Sequence, residues 1–331
     1  MCYLPAMNVS QTTLMHATTA LRGAEEVRFR HPRIVVGIPV YNEERFVRDC
    51  IQSLRSQTMQ DFLVVISDNA STDATAEACR IAIDGDSRFE FVRQTTNRGA
   101  SANFDFLRRV TDSEYFVWIG SHDRVQPNFL KAHIDFLDTH GKYILSYTHR
   151  EWIDSAGTVV GREPIKGFMD FRGGRWSRYL WSIESGEVCC VHGVIRRAYL
   201  PPESLRSCPG CDHVFLSSLV FRGRFSALPH RLYQSRQLDE ANRPADYMER
   251  ITGKRGLERN LDALINAYEE EFENLPASAR EKDRFRPFMR FLVHDKFAKD
   301  SRHWHRKFGI MSMVKRVRAI RRIPWMLSQY R

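Results

Sequence analysis

Four clusters of polar residues in the first half of the chain each follow a short apolar segment. Three of the four clusters carry carboxylates, which can accept protons or bind cations. Arg98 supplies a cation that can pair with phosphate, and Tyr41 supplies a ring that can stack on a base. This combination suits a nucleotide diphosphate. The clusters are residues 39–44, 67–73, 96–99 and 120–123.

The apolar segments alternate with patterns of helical spacing. Strands of this length alternating with helices predict an α/β domain, with a mixed, mainly parallel sheet that has helices on both faces. In such a sheet ligands bind beyond the carboxyl ends of the strands, so the four clusters should lie along one edge. Strands are predicted at 34–39, 62–67, 89–93, 115–119 and 143–147, and helices at 43–57, 73–83, 100–110 and 127–139.

The second half of the chain has a different pattern. A hairpin is predicted at 151–160, an apolar strand at 188–194, a helix at 212–221 and a strand at 224–228, with helices from residue 243 onward. We therefore divide the chain into a loose arm, an α/β domain and a basic helical extension. These parts are residues 1–30, 31–240 (a nucleotide-binding half 31–140 and an acceptor half 141–240) and 241–331.

Composition narrows the function classes. The net charge of +10 indicates an anionic partner. The chain shows no apolar run of membrane-spanning length and no signal peptide, and its seven cysteines are an odd number, so we expect a reducing cytoplasmic location. Cys208 and Cys211 could join Cys189, Cys190 or His213 in a zinc site. No second pair has ligand spacing, which favours structural cysteines.

Pro-Val-Tyr-Asn-Glu at 39–43, Ser-Asp-Asn-Ala-Ser-Thr-Asp at 67–73, Asn-Arg-Gly at 97–99 and the acidic turn before Pro127 resemble the nucleotide-binding half of family 2 glycosyltransferases. That family has the GT-A fold, a Rossmann-like sheet flanked by helices. The resemblance is strong over residues 36–139, weaker to about residue 240 and absent beyond. It implies an enzyme that moves a sugar, hexosyl or related, from a nucleotide-diphosphate donor to an acceptor hydroxyl with inversion, and it favours a UDP-sugar.

The resemblance also implies roles for individual residues. The acidic turn of the family binds Mn²⁺ or Mg²⁺, and the corresponding residues here are His122 and Asp123. The imidazole departs from the usual carboxylate, so either residue could be the ligand, or Arg124 could partly replace the cation by clamping phosphate oxygens. The residues expected to bind the nucleotide are Pro39, Tyr41, Glu43, Asp68, Asn69, Arg98 and Ser121.

An inverting transfer needs a base that takes the proton of the acceptor hydroxyl. The family places an acid at the start of a helix in its second half, and Asp212 occupies that position. The alternative for Asp212 is an N-cap of the same helix. His192 and Trp152 are expected to bind the acceptor, although a buried structural role fits His192 equally well.

The segment from Ser301 to Arg331 is rich in Arg and Lys and contains no acid. Its interleaved apolar residues predict a basic amphipathic helix on an anionic membrane surface, at the inner face of the plasma membrane. Such a location suits a glycan or lipid-linked acceptor and the synthesis of cell-surface polysaccharide or glycolipid. The alternative for this segment is a helix packed on the domain. For the function of the whole chain, the alternative from another class is a non-catalytic nucleotide- or glycan-binding relative. Nucleic acid is not an expected partner, since no recognition motif is present.

Overall fold

The structure is a computed structural model of the 331-residue chain. It describes residues 32–110, 112–165, 173–185, 189–203, 205–208, 210–237 and 261–297. The predicted arm at 1–30 and the basic segment at 301–331 lie outside the described residues.

The nucleotide-binding half forms the parallel part of the sheet. Its strands are rich in β-branched and aromatic residues and are mostly buried, as expected for a sheet covered on both faces. The order in the sheet is β3-β2-β1-β4. The elements are β1 Ile34–Val40, α1 Val47–Arg55, β2 Phe62–Asp68, α2 Thr75–Ile83, β3 Phe89–Arg93, α3 Ala100–Arg109 and β4 Tyr115–Trp118.

A topological switch point lies between β1 and β4. From β1 the chain moves outward to β2 and β3, and it then crosses back to place β4 on the other side of β1. The connections that leave β1 and β4 therefore diverge, and a crevice opens beyond their carboxyl ends. Ligands of open α/β sheets bind in such a crevice.

The second half extends the same sheet with mixed pairing. After β4 the order is β8-β6-β9-β5, and β7 pairs with the far end of β6. β6 and β9 are parallel, whereas β8 is antiparallel to both of its neighbours. The elements are β5 Arg124–Val125, α4 Phe129–Thr139, β6 Tyr143–Ile153, β7 Val159–Arg162, α5 Arg175–Ser185, β8 Val194–Arg196, α6 Cys211–Arg222, β9 Arg224–Arg236, α7 Leu261–Asn274 and α8 Ala279–Phe297.

One predicted strand is wrong and two are longer than predicted. Cys189–His192 forms a 3-10 helix, and only Val194–Arg196 continues as a strand. A short apolar run cannot by itself distinguish strand from helix. β6 and β9 run well past their predicted ends because each supplies the other with a pairing partner, from Tyr143↔Arg224 to Ile153↔Arg236.

Three apolar cores hold the layers together. One lies between the sheet and α1, α2 and α4, and a second lies on the opposite face under α3 and α6. The third joins α5 and α6 to the predicted C-terminal helices α7 and α8, where Trp176 stacks on Phe285 with ring centroids 4.5 Å apart. No helix in the described ranges is both long enough and apolar enough to cross a bilayer.

His133 of α4 makes the stability of this fold depend on pH. Its ring is fully buried, and Nδ1 lies 2.7 Å from the Ser146 hydroxyl of β6. Burial, helped by the nearby His230, lowers the pKa of His133 to about 3. The folded protein therefore keeps this ring neutral at a pH where the unfolded chain takes up a proton, and stability falls as the pH drops below the unfolded value.

We expect His133 to lower the free energy of unfolding by about 1.4 kcal/mol per pH unit between roughly pH 6 and pH 4. Urea denaturation of the wild type and His133→Asn at several pH values measures this slope, and the variant should lose that component. His140→Asn, at an exposed position, is the control and should keep the wild-type slope. Equal slopes in wild type and His133→Asn would contradict the prediction.

Candidate active site

The loops after β1 and β2 hold each other in place at the edge of the sheet. The backbone N–H of Asn42 donates to the Ser71 hydroxyl at 2.9 Å, and the N–H of Thr72 donates back to the Asn42 side chain at 2.9 Å. The N–H of Glu43 donates to the Thr75 hydroxyl at 2.7 Å. These reciprocal bonds fix the start of the predicted nucleotide site.

Asp68 ends β2 with one oxygen bonded and one not. Oδ1 accepts the backbone N–H of Ser71 at 2.9 Å. Oδ2 accepts no hydrogen bond from a described residue, and the nearest cation is Arg93, whose Nε is 3.4 Å away. An unsatisfied carboxylate oxygen costs free energy when buried, so a ligand donor placed here would be stabilising.

Asn69 braces the third loop. Its Nδ2 donates to Asn97 at 2.8 Å, and its Oδ1 accepts the backbone N–H of Arg98 at 3.0 Å. The loop then turns at Gly99, whose positive φ of 82° favours glycine. The side chain of Arg98 is exposed, while Tyr41 and Pro39 are half-buried at the end of β1. Asn69 therefore holds the loop that carries Arg98, and its contact with a nucleotide stays a prediction.

Asp123 is the buried member of the predicted metal turn. Its side chain is 4% exposed. The Tyr233 hydroxyl donates to Oδ2 at 2.6 Å, and the backbone N–H of Arg236 donates to Oδ1 at 2.8 Å. A Cβ at Gly120 would stand only 2.5 Å from Oδ2, so this close packing requires glycine there. Ser121, also predicted to bind nucleotide, is buried in the same turn.

Arg236 joins three segments below this turn. Its fully buried guanidinium donates to the carbonyls of His122, Asp154 and Ser155, each at 2.8–2.9 Å. It also pairs with the Asp49 carboxylate at 2.9 Å and lies over the ring of Phe46. The guanidinium thus connects the turn to α1 and to the β6–β7 hairpin.

His122 bridges the crevice at the switch point. Its Nδ1 lies 2.9 Å from Oε1 of Glu43, which follows β1, and its Nε2 lies 3.9 Å from Oδ1 of Asp123. Arg124 is directed elsewhere, since its guanidinium donates to the Gly157 carbonyl of the hairpin at 2.6 Å. The geometry therefore favours His122 over Arg124 as the group that faces a diphosphate.

The donor set at this turn fits a divalent cation that is shared with a ligand. Within the described residues no group of three or more His, Cys, Asp or Glu side chains could hold a metal ion. His122 and Asp123 would offer one nitrogen and one oxygen ligand, and a bound diphosphate would supply further oxygen ligands. Mg²⁺ and similar cations are commonly bound in this way, by one or two protein ligands together with substrate phosphates.

A pocket of about 240 Å³ contains the predicted base. Asp212 is the second residue of α6, and the helix is capped by Gly210, whose φ is 72°. Asp212 is therefore not the N-cap, and its Oδ1 accepts the backbone N–H of His213 at 3.1 Å. Apolar side chains dominate the wall, with Ser101, His192 and Cys211 as polar neighbours. The apolar members are Ala100, Phe104, Trp118, Val191, Leu205 and Phe215.

His192 connects the pocket to the turn. Its Nδ1 donates to the Trp118 carbonyl at 3.0 Å, and its ring stacks on Tyr233 with centroids 4.8 Å apart. Burial lowers its pKa, with the Asp123 charge acting in the opposite direction, so the ring is neutral at pH 7. The second nitrogen of the neutral ring can then accept a hydrogen bond from a hydroxyl.

The remaining candidates lie outside this constellation or have other partners. Trp152 is not part of the pocket wall, and the Arg150 guanidinium stacks on its ring at 4.5 Å. The thiol of Cys211 lies 3.4 Å from the Ser101 hydroxyl, and burial together with the Asp212 charge raises its pKa to about 11. The raised pKa keeps this thiol protonated at pH 7.

Two residues of this site could not be found from the sequence. Tyr233 and Arg236 lie on β9, more than 100 positions from the turn that they fix. Their spacing suggests only alternate faces of a strand. Neither carries a motif, and their role follows from the pairing of β9 with β5 and β6.

Residues 35–196 match the glycosyl transferase family 2 profile. Among curated proteins, the chain is 30% identical over 100 residues to the glycosyltransferase GlyA of Streptococcus pneumoniae. The aligned segment covers 30% of this chain and 14% of GlyA. The chain is 26% identical over 131 residues to a chondroitin synthase of Escherichia coli, covering 40% of this chain and 19% of the synthase. The chain thus spans only a small part of these relatives.

Solved structures confirm the predicted fold. The S. aureus protein TarS, residues 1–349 in complex with UDP-GlcNAc, superposes with a TM-score of 0.59 at 18% identity, covering 81% of this chain and 74% of that one. The mannosyltransferase PcManGT of Pyrobaculum calidifontis, in complex with GDP-Man and Mn²⁺, gives a TM-score of 0.50 at 14% identity, covering 87% and 77%. The mixed sheet with its flanking helices is the GT-A fold.

Replacing Arg236 should destabilise the protein strongly. Arg236→Met keeps much of the apolar stem but leaves three carbonyl groups and the Asp49 carboxylate without their donor. We expect a loss of about 3–5 kcal/mol in the free energy of unfolding, measured by chemical denaturation. Asp49→Ala is the matched control, because this half-exposed partner should cost no more than about 1 kcal/mol. A small effect of Arg236→Met would show that the buried guanidinium is not a structural anchor.

Proposed function

We propose that this chain, whose residues 35–196 belong to glycosyl transferase family 2, moves a sugar from a nucleotide-diphosphate donor to an acceptor hydroxyl. The observation that carries the proposal is a continuous set of contacts from pocket to crevice. Asp212 and His192 line one pocket, His192 stacks on Tyr233, and Tyr233 donates to Asp123 below the crevice. A base and a diphosphate site would thus stand side by side.

The donor would lie along the carboxyl edge of β1, β2 and β4. Asp68 offers its unsatisfied oxygen to a donor group of the base or ribose, and Tyr41 and Pro39 are close to the end of the neighbouring strand. Arg98 offers an exposed guanidinium to the phosphates. A UDP-sugar is the favoured donor, in agreement with the UDP-GlcNAc of the TarS structure.

The transfer itself would be an inverting displacement. The Asp212 carboxylate takes the proton of the acceptor hydroxyl while the hydroxyl oxygen attacks the anomeric carbon. The bond from that carbon to the diphosphate breaks, and the nucleoside diphosphate leaves with the electron pair. His192 accepts a hydrogen bond from a sugar hydroxyl. A divalent cation at His122 and Asp123 would supply Lewis-acid stabilisation of the charge on the diphosphate.

The acceptor we propose is a growing glycan, free or lipid-linked, in the synthesis of cell-surface polysaccharide or glycolipid. The similarity to a chondroitin synthase supports polymer synthesis. The basic composition of residues 301–331 supports binding to an anionic membrane surface on the cytoplasmic side. Trp152 would be a further contact of the acceptor, outside the pocket.

A non-catalytic nucleotide-binding relative is the second candidate, favoured by the histidine in the acidic turn. Release of nucleoside diphosphate from a panel of nucleotide sugars separates the two. The enzyme should release it, faster with acceptor sugars present, whereas a binding protein should bind donor without turnover.

Asp212→Asn should abolish transfer while leaving donor binding intact. Removing the base should lower kcat by about 10²- to 10⁴-fold. Calorimetric titration with the nucleoside diphosphate should show a dissociation constant close to that of the wild type. Cys211→Ser is the control, since it changes the neighbouring pocket residue without removing a base. Full activity in Asp212→Asn would exclude Asp212 as the base.

Asp68→Ala should weaken nucleotide binding by removing the acceptor at the end of β2. A hydrogen bond to a charged group contributes about 1.5–3 kcal/mol, so the dissociation constant should rise at least about tenfold. Melting temperature and calorimetry with nucleoside diphosphates measure the effect. Asp73→Ala is the control, because the Asp73 carboxylate accepts bonds from the Thr75 backbone and hydroxyl. Equal losses in both variants would indicate a general loop defect.

A further inference from the structure

The pocket of about 240 Å³ beside the candidate base has mostly apolar walls. The ring of Trp118 packs against Phe104 and Phe215, with centroids 5.8 Å and 5.3 Å apart. Val191 and Leu205 add aliphatic surface to this aromatic cluster. A ligand group that lies against this wall is stabilised if it is apolar, and destabilised if it is a hydroxyl without a hydrogen-bond partner.

Several polar atoms around the pocket already have partners in the protein. The indole N–H of Trp118 donates to the Phe104 carbonyl at 3.1 Å, so the largest wall residue has no free donor. Nδ1 of His192 is bonded to the Trp118 carbonyl, and only its other nitrogen can accept a hydrogen bond from a ligand. The Ser101 hydroxyl lies 3.4 Å from the Cys211 thiol, a weak partner that a ligand hydroxyl can replace.

A hexose within a growing glycan brings more hydroxyls than the described side chains of this pocket can pair. A hexopyranose that is linked through its anomeric carbon has four free hydroxyls. One of them reacts at Asp212, a second can donate to His192, and a third can pair with Ser101. The fourth would lie against the apolar wall, where an unpaired hydroxyl is destabilising. A methyl group in its place would be stabilised by the same surface.

We propose that this pocket selects a 6-deoxyhexose as the acceptor sugar. A base must touch the hydroxyl that it deprotonates, so the pocket that contains Asp212 holds the acceptor. We assign the contact with the methyl group to Val191 and Leu205, which are only partly buried, whereas Trp118 and Phe215 are buried. This inference rests on the proposed function, because it takes Asp212 as the base.

Two matched pairs of methyl glycosides test the inference without any need for turnover. Methyl α-L-fucoside is compared with methyl α-L-galactoside, and methyl α-L-rhamnoside with methyl α-L-mannoside. The members of each pair differ only in a methyl or a hydroxymethyl group at C6. Ligand-observed NMR titration of the full-length protein with UDP present measures the dissociation constants. In at least one pair the deoxy sugar should bind at least about tenfold more tightly, as is typical of one group in an apolar pocket.

Val191→Thr tests the assigned contact, because it replaces a methyl group with a hydroxyl at almost the same volume. The new hydroxyl can pair with the hydroxymethyl group, so the preference for the deoxy sugar should fall several-fold. Leu205→Asn makes a similar change on the loop before α6, should the first variant fold poorly. Val160→Thr is the matched control, since Val160 is exposed on β7 and does not line the pocket, and it should keep the wild-type preference.

The outcomes distinguish this inference from the proposed function. Equal affinities within both pairs, tighter binding of the hydroxymethyl sugars, or no binding of any of the four glycosides would overturn the inference. The glycosyltransferase proposal would then still be judged by the release of nucleoside diphosphate from nucleotide sugars. A deoxy preference that both Val191→Thr and Leu205→Asn leave unchanged would overturn the assigned contact. A deoxy preference that falls in these variants and persists in Val160→Thr supports the inference.

Discussion

The hydrogen bonds that enclose the Asp123 carboxylate are the constraint on which the rest of the site depends. The carboxylate comes from the loop after β4, while its donors, Tyr233 and the backbone of Arg236, come from the far end of the chain. A buried carboxylate is strongly destabilising unless it is hydrogen-bonded, so the fold cannot close without bringing β9 against the turn. This closure places His122 over the crevice and Tyr233 against His192.

The residues of this site fall into two groups, buried side chains that hold the turn and a partly exposed side chain that a ligand can reach. Arg236 and Tyr233 are buried and donate hydrogen bonds to carbonyl and carboxylate groups of other segments, which makes them anchors. His122, with about a quarter of its side chain exposed, is accessible above them. A reaction requires accurate positions of the reacting groups, and a side chain is held accurately only when the residues that contact it are themselves held. The buried Arg236 and Tyr233 provide this support.

The helical layer has a comparable effect on the candidate base. Asp212 lies at the start of α6, and α6 is held between α5 and α7 by the third core, with Tyr268 and Phe272 of α7 fully buried. The α7–α8 pair thus supports the helix that carries the carboxylate, although neither helix belongs to the matched family segment. Both halves of the domain contribute to the pocket. Its wall includes residues of α3 and β4 from the first half and of α6 from the second half.

The sequence alone determined the alternating strands and helices and the edge on which the polar clusters lie. It also indicated the candidates Asp68, His122 and Asp212. These features could be predicted because periodicity and local motifs are properties of neighbouring residues. The tertiary structure decided which of these candidates contact one another. Asn69 proved to brace a loop, Trp152 lies away from the pocket, and Tyr233 and Arg236 have no local signal. Such contacts join residues up to 187 positions apart, as between Arg236 and Asp49, and pairing at that distance depends on sheet order and burial.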